Sequence, residues 1–320
     1  MHEEVEIMSE AGNYDPGPWR GHDFKDARKA YDAHVGRSYS DALTTGKTKT
    51  DLLEPSLRTE STNPLTIICD VTGSMGDWPA VMFSKLPYLE IEGKEYLGKD
   101  MEISFAAVGD AYSDNYPLQV RKFTSGKNLE KTLKELIIEG NGGGQQCESY
   151  DLAALYYARQ VEMPNAVKPI TIFIGDEGLY DFVNPDQAKT LMGMSLEGKL
   201  STTAVFEELK RKSAVYLISK PYGSGSGSDS DPTTQRIQAQ WASYLGADHI
   251  AMLPEAARVV DVIFGILAKE TSRIDYFKKE LKERQKPEQV KTVLKTLHTI
   301  HDLPEKTVKK LGKGKSVLRR

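Results

Sequence analysis

A short apolar run that ends in an acid constrains this chain more than any other feature. Residues 65–70 read Leu-Thr-Ile-Ile-Cys-Asp, and Val-Thr-Gly-Ser-Met follows at 71–75. Such a run is typical of a strand buried on both faces, as in the middle of a parallel sheet. Asp70 then lies at the carboxyl end of the strand, and Thr72 and Ser74 lie in the turn that follows. Open α/β sheets bind their ligands at this edge.

One carboxylate and two hydroxyls at the edge of a sheet make a site of oxygen ligands. Such a site suits Mg²⁺, which favours six oxygens and usually retains some of them as water. The same residue types also have a purely structural use, because their side chains satisfy free backbone N–H groups in turns and at helix starts. Both interpretations of Asp70, Thr72 and Ser74 stand at this point.

The rest of the chain repeats the pattern of a buried apolar run followed by a helical periodicity. Further strands are predicted at residues 101–109, 169–176, 214–219 and 249–253, with an edge strand at 116–123. Helices are predicted at residues 78–89, 128–138, 149–161, 204–212, 233–245 and 256–268. This alternation predicts an α/β domain over residues 64–268, with a doubly wound, mostly parallel sheet and helices on both faces.

Two extensions flank the predicted domain. Residues 1–63 form an N-terminal extension, with a predicted helix at 23–36 and a polar connector at 44–64. Residues 269–320 form a C-terminal tail with Lys-rich helices predicted at 273–284, 288–300 and 304–311.

Charge is unevenly spread between this tail and the body. The tail holds 16 Lys and Arg against 7 Asp and Glu, whereas the rest of the chain holds 26 against 39. The imbalance predicts that the tail binds something acidic, such as nucleic acid, or packs on its own acidic body. We favour packing on the body, because the tail contains few aromatic side chains that could stack on bases, namely Tyr276 and Phe277.

The chain has the features of a protein from a reducing compartment. Its two cysteines, Cys69 and Cys147, do not indicate a disulfide framework. The start Met-His-Glu-Glu-Val-Glu-Ile is acidic, unlike a secretory signal, and no stretch approaches the length of a membrane span. The glycine-rich stretch at 140–149 lacks the Gly-Lys-Ser/Thr ending of a P-loop, which disfavours nucleotide binding. We therefore expect a soluble, cytoplasmic protein.

Taken together, these features resemble a von Willebrand factor A (vWA) domain of the intracellular bacterial or phage type, over residues 64–268. Asp-Val-Thr-Gly-Ser-Met at 70–75 is similar to Asp-x-Ser/Thr-x-Ser, the first element of the family's metal-ion-dependent adhesion site. The resemblance implies that Thr72 and Ser74 give hydroxyls to Mg²⁺ or Mn²⁺, and that Asp70 holds the ion directly or through water. Gly-Asp-Glu-Gly at 175–178 resembles the family's Thr-Asp-Gly, which implies that Asp176 is the second acidic ligand.

The third element of the adhesion site departs from the usual Gly-Gly-Thr. Residues 142–148 read Gly-Gly-Gly-Gln-Gln-Cys-Glu and resemble the Gly-Gly-Gly-Asp-x-Pro-Glu variant of some vWA domains. Gln145 replaces the acid of that variant and Cys147 replaces its proline, whereas Glu148 is retained. A neutral amide oxygen is a weaker ligand than a carboxylate. The resemblance therefore implies a metal site that includes Gln145 and Glu148 and binds its ion weakly or coordinates it through Glu148 or water.

The family resemblance implies a binding module rather than an enzyme. A Mg²⁺ held by two hydroxyls and two acids keeps an open coordination position, which an Asp or Glu of a protein partner can fill. The resemblance also makes an AAA+ ATPase of the MoxR type a plausible partner. The alternatives are a Mg²⁺-dependent phosphoaspartyl hydrolase, resembling haloacid dehalogenases with Asp70 as nucleophile, and nucleic-acid binding through the tail. The hydrolase lacks its usual general acid, because Thr72 stands where that family has a second Asp.

Overall fold

The structure is a computed structural model that describes residues 50–76, 78–126, 128–139, 146–222 and 230–300. The predicted helices at 23–36 and 304–311, and Gln145, lie outside these residues. Twelve strands fall within them: β1 (Leu57–Arg58), β2 (Leu65–Asp70), β3 (Ile103–Val108), β4 (Leu118–Val120), β5 (Cys147–Glu148), β6 (Val161–Glu162), β7 (Ile170–Gly175), β8 (Gly178–Leu179), β9 (Phe182–Val183), β10 (Leu200–Ser201), β11 (Ala214–Ser219) and β12 (Ile250–Met252).

Helices follow most of the longer strands. The same described residues contain ten α-helices: α1 (Trp78–Lys85), α2 (Leu89–Leu97), α3 (Asn128–Lys134), α4 (Tyr150–Arg159), α5 (Pro185–Met192), α6 (Thr202–Lys212), α7 (Pro232–Leu245), α8 (Val259–Glu270), α9 (Ile274–Arg284) and α10 (Pro287–Thr296). Short 3-10 helices connect some of them.

Six strands form the central sheet in the order β12-β11-β7-β2-β3-β4. All neighbours in this sheet are parallel except β3 and β4, which pair antiparallel at one edge. In the register, Asp70 of β2 lies beside Val108 of β3, and Cys69 lies beside Ile174 of β7. The carboxyl ends of β2, β3, β7 and β11 therefore meet at one edge of the sheet.

Each face of the sheet is covered by its own apolar layer. On one face, Ile67 of β2 packs with α1, α2 and α8 in a cluster that includes Phe83 and Phe264. On the other face, Ile68 packs with α4, α6 and α7 in a cluster that includes Phe206 and Trp241. Alternate residues of a strand point to opposite faces, so a strand buried on both faces is apolar at most of its positions.

These observations confirm the prediction of a mixed α/β fold with a mostly parallel central sheet. The predicted strands lie within a few residues of the observed ones, and the weak strand at 116–123 is the short antiparallel edge strand β4. The prediction of one helix over 78–89 was wrong in its length. The chain forms α1, a 3-10 turn and then α2, and the interruption includes Pro87, whose nitrogen carries no hydrogen for the helical ladder.

The segments on either side of the predicted domain also contribute to the core. Leu52 and Leu57 are buried, and β1 pairs with β6, so the described part of the predicted polar connector packs on the body. Helices α9 and α10 bury Phe277, Leu281 and Val293 in the same apolar cluster as α8. No helix among the described residues has both the length and the apolar character needed to cross a membrane.

Candidate functional site

The carboxyl edge of the sheet gathers acids from neighbouring strands. Asp70 is the last residue of β2, and Asp176 directly follows Gly175, the last residue of β7. Thr72 precedes the 3-10 helix Gly73–Met75, which carries Ser74. Asp70, Thr72 and Asp176 are almost completely buried. The sheet register thus brings together four of the residues that the sequence analysis singled out.

Hydrogen bonds join these four side chains into two neighbouring hydroxyl–carboxylate pairs. The Thr72 hydroxyl donates to Oδ1 of Asp70 over 2.6 Å, and the Ser74 hydroxyl donates to Oδ1 of Asp176 over 2.9 Å. The two hydroxyl oxygens lie 3.2 Å apart. Because each hydroxyl can give its one proton to a carboxylate, its lone pairs remain available to a further group. The backbone N–H of Thr72 also donates to Oδ1 of Asp70 over 2.8 Å.

Tyr150 holds the second oxygen of Asp70. The phenol hydroxyl of Tyr150, in the first turn of α4, donates to Oδ2 of Asp70 over 2.7 Å. The tyrosine is completely buried against Phe173 and Trp241. It reaches the acid across Gly175, where an added Cβ would lie 1.8 Å from the Tyr150 hydroxyl. The absence of a side chain at Gly175 is therefore what lets Tyr150 reach Asp70.

Glu148 and Glu177 add two further acids to this edge. Glu148 belongs to β5, which pairs parallel with β8, so it lies near Glu177, which immediately precedes β8. Oε2 of Glu148 is buried and has no hydrogen-bond partner. The predicted ligand Glu148 thus lies next to the acids of the two central strands, with one oxygen unused.

This crowding of buried acids favours their protonated forms. Burial and the neighbouring Asp176 raise the pKa of Asp70 to about 8, although hydrogen bonds from Thr72 and Tyr150 act in the opposite direction. Burial, with Asp70 and Glu177 nearby, raises the pKa of Glu148 to about 12. Burial and Asp176 raise the pKa of Glu177 to about 6. A cation placed among these groups would reverse the balance in favour of the ionised carboxylates.

A lysine supplies positive charge at this edge. Lys220 directly follows β11, and its ammonium forms a salt bridge of 2.7 Å with Oδ2 of Asp176. The ammonium also donates to the backbone carbonyl of Ser74 over 3.0 Å. The Lys220 side chain is only 4% exposed and that of Asp176 is 0% exposed, so water screens this pair weakly.

The donor set suits a hard cation, although it differs from an all-carboxylate site. Among the described residues, no three His, Cys, Asp or Glu side chains form a metal-binding group. The oxygens that could hold an ion are the hydroxyls of Thr72 and Ser74, with Asp70 and Asp176 beside them. The 3.2 Å between the hydroxyls is close to the spacing of about 2.9 Å between adjacent oxygens around Mg²⁺.

The comparisons with known proteins are distant. No protein-family model matches the chain, and neither does any curated protein. Two crystal structures of the pilus adhesin SpaC from Lactobacillus rhamnosus GG, one in an open conformation, are similar to it at 11% and 9% identity, each with a TM-score of 0.44. The alignments cover 70% of this chain but only 32% and 31% of the adhesin chains. These values are too low to assign a function.

Tyr150 and Lys220 were not identified from the sequence. Lys220 carried a usable signal, because it directly follows a predicted strand and therefore lies at the same edge as Asp70 and Asp176. Tyr150 carried no such signal, since it belongs to a helix and lies 80 residues from Asp70 in the chain. Cys147, the second of the two cysteines, is half-buried, and burial raises the pKa of its thiol, which disfavours the reactive thiolate.

Proposed function

We propose that this protein is a vWA-type binding module that recognises an acidic side chain of a protein partner through a divalent cation. The observation that carries the proposal is the pair of hydroxyls, Thr72 and Ser74, whose protons go to two buried acids while their lone pairs stay available. In this arrangement Thr72 and Ser74 would bind Mg²⁺ or Mn²⁺, and Asp70 and Asp176 would balance its charge. The bound ion would supply an open position for a carboxylate.

The surroundings of the hydroxyls support a preorganised site. Asp70 receives hydrogen bonds on both carboxylate oxygens, two from Thr72 and one from Tyr150, so its orientation is fixed before any ion arrives. Asp176 accepts a hydrogen bond from Ser74 on one of its oxygens. Preorganised ligands lower the cost of binding, because fewer side chains must be ordered when the ion enters.

We propose that the partner contacts not only the ion but also a rim beside the site, which is formed by Tyr112 and Tyr180. Tyr112, which is 59% exposed, packs its ring against Tyr180 at 5.1 Å, and Tyr180 donates to Asp110 at the end of β3. An exposed aromatic side chain beside a buried charged centre is typical of the residues that dominate protein interfaces. An AAA+ ATPase of the MoxR type as this partner stays a prediction from the family resemblance.

Phosphoaspartyl hydrolysis is supported less well by the same contacts. Asp70 would have to attack a phosphorus atom with one of its carboxylate oxygens, yet both oxygens accept hydrogen bonds and the residue is completely buried. Thr72 also lacks the acidity of a proton donor for the leaving group. Turnover of p-nitrophenyl phosphate that is lost in Asp70→Asn would contradict this assessment.

Calorimetric titration with Mg²⁺ and Mn²⁺ tests the ion site directly. The wild type is compared with the double variant Asp70→Ala/Ser74→Ala, which removes one acid and one hydroxyl from the site. The matched control is Asp248→Ala/Ser243→Ala, which removes the same groups from exposed positions near the amino end of β12. We expect ion binding in the wild type and the control and none in the site variant. Equal binding in all three proteins would refute the proposed site.

The proposed ligand class requires a second measurement. Immobilised wild-type protein is tested for retention of short peptides that carry a single Asp or Glu, first in Mg²⁺ and then in EDTA. The same peptides with Asn or Gln serve as controls. Retention that needs both the carboxylate and the ion is the expected result, because the open position takes an anionic oxygen. Retention of the amide peptides to the same degree would contradict recognition of an acid.

A further inference from the structure

Lys220 occupies an unusual place at the edge of the sheet. Its backbone N–H donates to the carbonyl of Gly175 over 3.0 Å, which extends the pairing of β7 and β11 one residue past β11. The side chain then reaches Asp176 over 2.7 Å, the carbonyl of Ser74 over 3.0 Å and the carbonyl of Pro221 over 3.2 Å. An ammonium group can donate three protons, and each of these acceptors is an oxygen with a lone pair to receive one.

The ammonium balances part of the negative charge at this edge. The buried acids Asp70, Glu148, Asp176 and Glu177 lie here, and Lys220 is a buried cation in direct contact with Asp176. A buried charge without a counter-charge is costly, so an ammonium group in this place stabilises an ionised Asp176. Lys220 therefore supplies, within the chain itself, part of the positive charge that a bound ion would otherwise contribute.

We propose that Lys220 is the resident cation of the metal-free site, and that it competes with the divalent ion for Asp176. The proposal rests on the proposed function, because it concerns the same ion site and describes how its affinity is set. The competition arises because Asp176 uses one oxygen for Ser74 and the other for Lys220. A divalent ion at the hydroxyls must share this acid with the ammonium or displace the ammonium from it.

Binding of the divalent ion is weakened whether it shares Asp176 with the ammonium or displaces the ammonium. If the ammonium stays, it lies close to a divalent cation in a buried site, where water screens their repulsion poorly. If the ammonium leaves, its salt bridge and its bond to the Ser74 carbonyl are lost. Removing the charge of Lys220 should therefore tighten ion binding, whereas removing a lysine that only supports the local structure would weaken it.

The variant Lys220→Met tests this inference, since methionine fills similar space without charge. Its control is Lys212→Met, because Lys212 is also partly buried but bonds to the carbonyls of Ala158 and Val161, and it lies just before β11, at the opposite edge of the sheet. Mn²⁺ affinity is measured by calorimetry on both variants and on the wild type. We expect the dissociation constant to fall at least tenfold in Lys220→Met and to stay within twofold in Lys212→Met.

Thermal unfolding gives a second readout that does not depend on a detectable heat of binding. Lys220→Met should melt at a lower temperature than the wild type in EDTA, because the buried acids have lost their cation. Mn²⁺ should then raise its melting temperature by more than it raises that of the wild type. If Lys220→Met does not fold in EDTA, Lys220→Gln takes its place, since the amide keeps a donor for the Ser74 carbonyl.

The outcomes separate this inference from the proposed function. Wild-type binding that Asp70→Ala/Ser74→Ala abolishes, together with equal or weaker binding in Lys220→Met, overturns the competition and leaves the ion site intact. Mn²⁺ binding that is detected in Lys220→Met but not in the wild type supports the competition, because the ammonium of Lys220 then blocks the wild-type site. An absence of Mn²⁺ binding in the wild type, Lys220→Met and Lys220→Gln refutes the ion site and the inference together.

Discussion

Replacement of Gly175 by alanine should disrupt the site through one contact. The added Cβ would lie 1.8 Å from the hydroxyl oxygen of Tyr150, whereas real Cβ atoms essentially never come within 3.0 Å of another heavy atom. The hydroxyl must therefore move by roughly 1 Å, which breaks its 2.7 Å bond to Asp70. Tyr150 cannot move freely, because it is completely buried against Phe173 and Trp241.

The expected cost of this substitution has two parts. Overpacking in a well-packed core costs about 1–3 kcal/mol, and leaving a buried acceptor without its donor costs about 1–3 kcal/mol. We expect Gly175→Ala to lower the free energy of unfolding by about 2–5 kcal/mol. Tyr150→Phe removes the hydrogen bond without the clash and should cost about 1–3 kcal/mol. The double variant should cost less than the sum of the two single variants, because the oxygen at 1.8 Å is gone and the added Cβ then meets only the ring carbon Cζ, at 2.9 Å.

The free energy of unfolding of all three variants is measured by urea titration in EDTA. Tryptophan fluorescence is a suitable signal, because the ring of Trp241 lies 5.1 Å from that of Tyr150. The control is Gly93→Ala, where the added Cβ would lie 2.6 Å from the sulfur of Met101. A methionine side chain adapts readily, so this variant should stay within about 1 kcal/mol of the wild type. A cost below about 1 kcal/mol for Gly175→Ala, or additive effects in the cycle, would refute the reasoning.

Four further predictions concern the site and its surroundings. Because Mn²⁺ requires ionised Asp70, whose pKa is raised to about 8, apparent affinity in titrations at pH 6, 7 and 8 should fall up to about tenfold per unit below pH 8. In EDTA, protonation of Asp70 stabilises the folded chain, because the folded chain binds the carboxyl proton more tightly than the unfolded chain. This contribution to the free energy of unfolding should therefore fall as pH rises towards 8. Phe277→Ala should cost about 3–5 kcal/mol in urea unfolding because the ring is buried in the core, whereas Phe182→Ala, at a position 51% exposed, should stay within about 0.5 kcal/mol. Tyr112→Ala should weaken retention of acidic peptides without changing the Mn²⁺ dissociation constant, and equal retention would exclude this rim as the contact surface.

The strands could be predicted from sequence because their signal is local. Residues 65–70 and 169–176 are apolar runs too short for helices and bounded by turn residues, and both proved to be central parallel strands. Once their direction was predicted, the positions of Asp70 and Asp176 at one edge followed from the geometry of a parallel sheet. Helix α5 could also have been predicted, because Asn184 caps it, Pro185 opens it and Gly193 ends it.

The contacts that tune the site could not be predicted in the same way. Tyr150 and Asp70 are 80 residues apart in the chain, and Lys220 and Ser74 are 146 apart. Such contacts depend on how the connections between strands place a loop or a helix start against the edge of the sheet. Hydrophobic periodicity carries no information about them, because it reports only which face of an element is buried. Sequence patterns thus indicated the acids and the hydroxyls beside them, but not their contacts with Tyr150 and Lys220.

The energetic conflict at Asp70 is a second argument that this edge serves binding rather than folding. Three donated hydrogen bonds favour its ionised form, whereas burial and the nearby Asp176 favour its protonated form. A sheet edge that needed only stability could be closed by apolar or neutral side chains without this conflict. Instead, Gly175 makes room for Tyr150, Tyr150 orients Asp70, and Lys220 compensates Asp176. Local rules are broken in this way mainly at functional sites, and the divalent ion of the proposed site would offset the cost of burying an ionised Asp70.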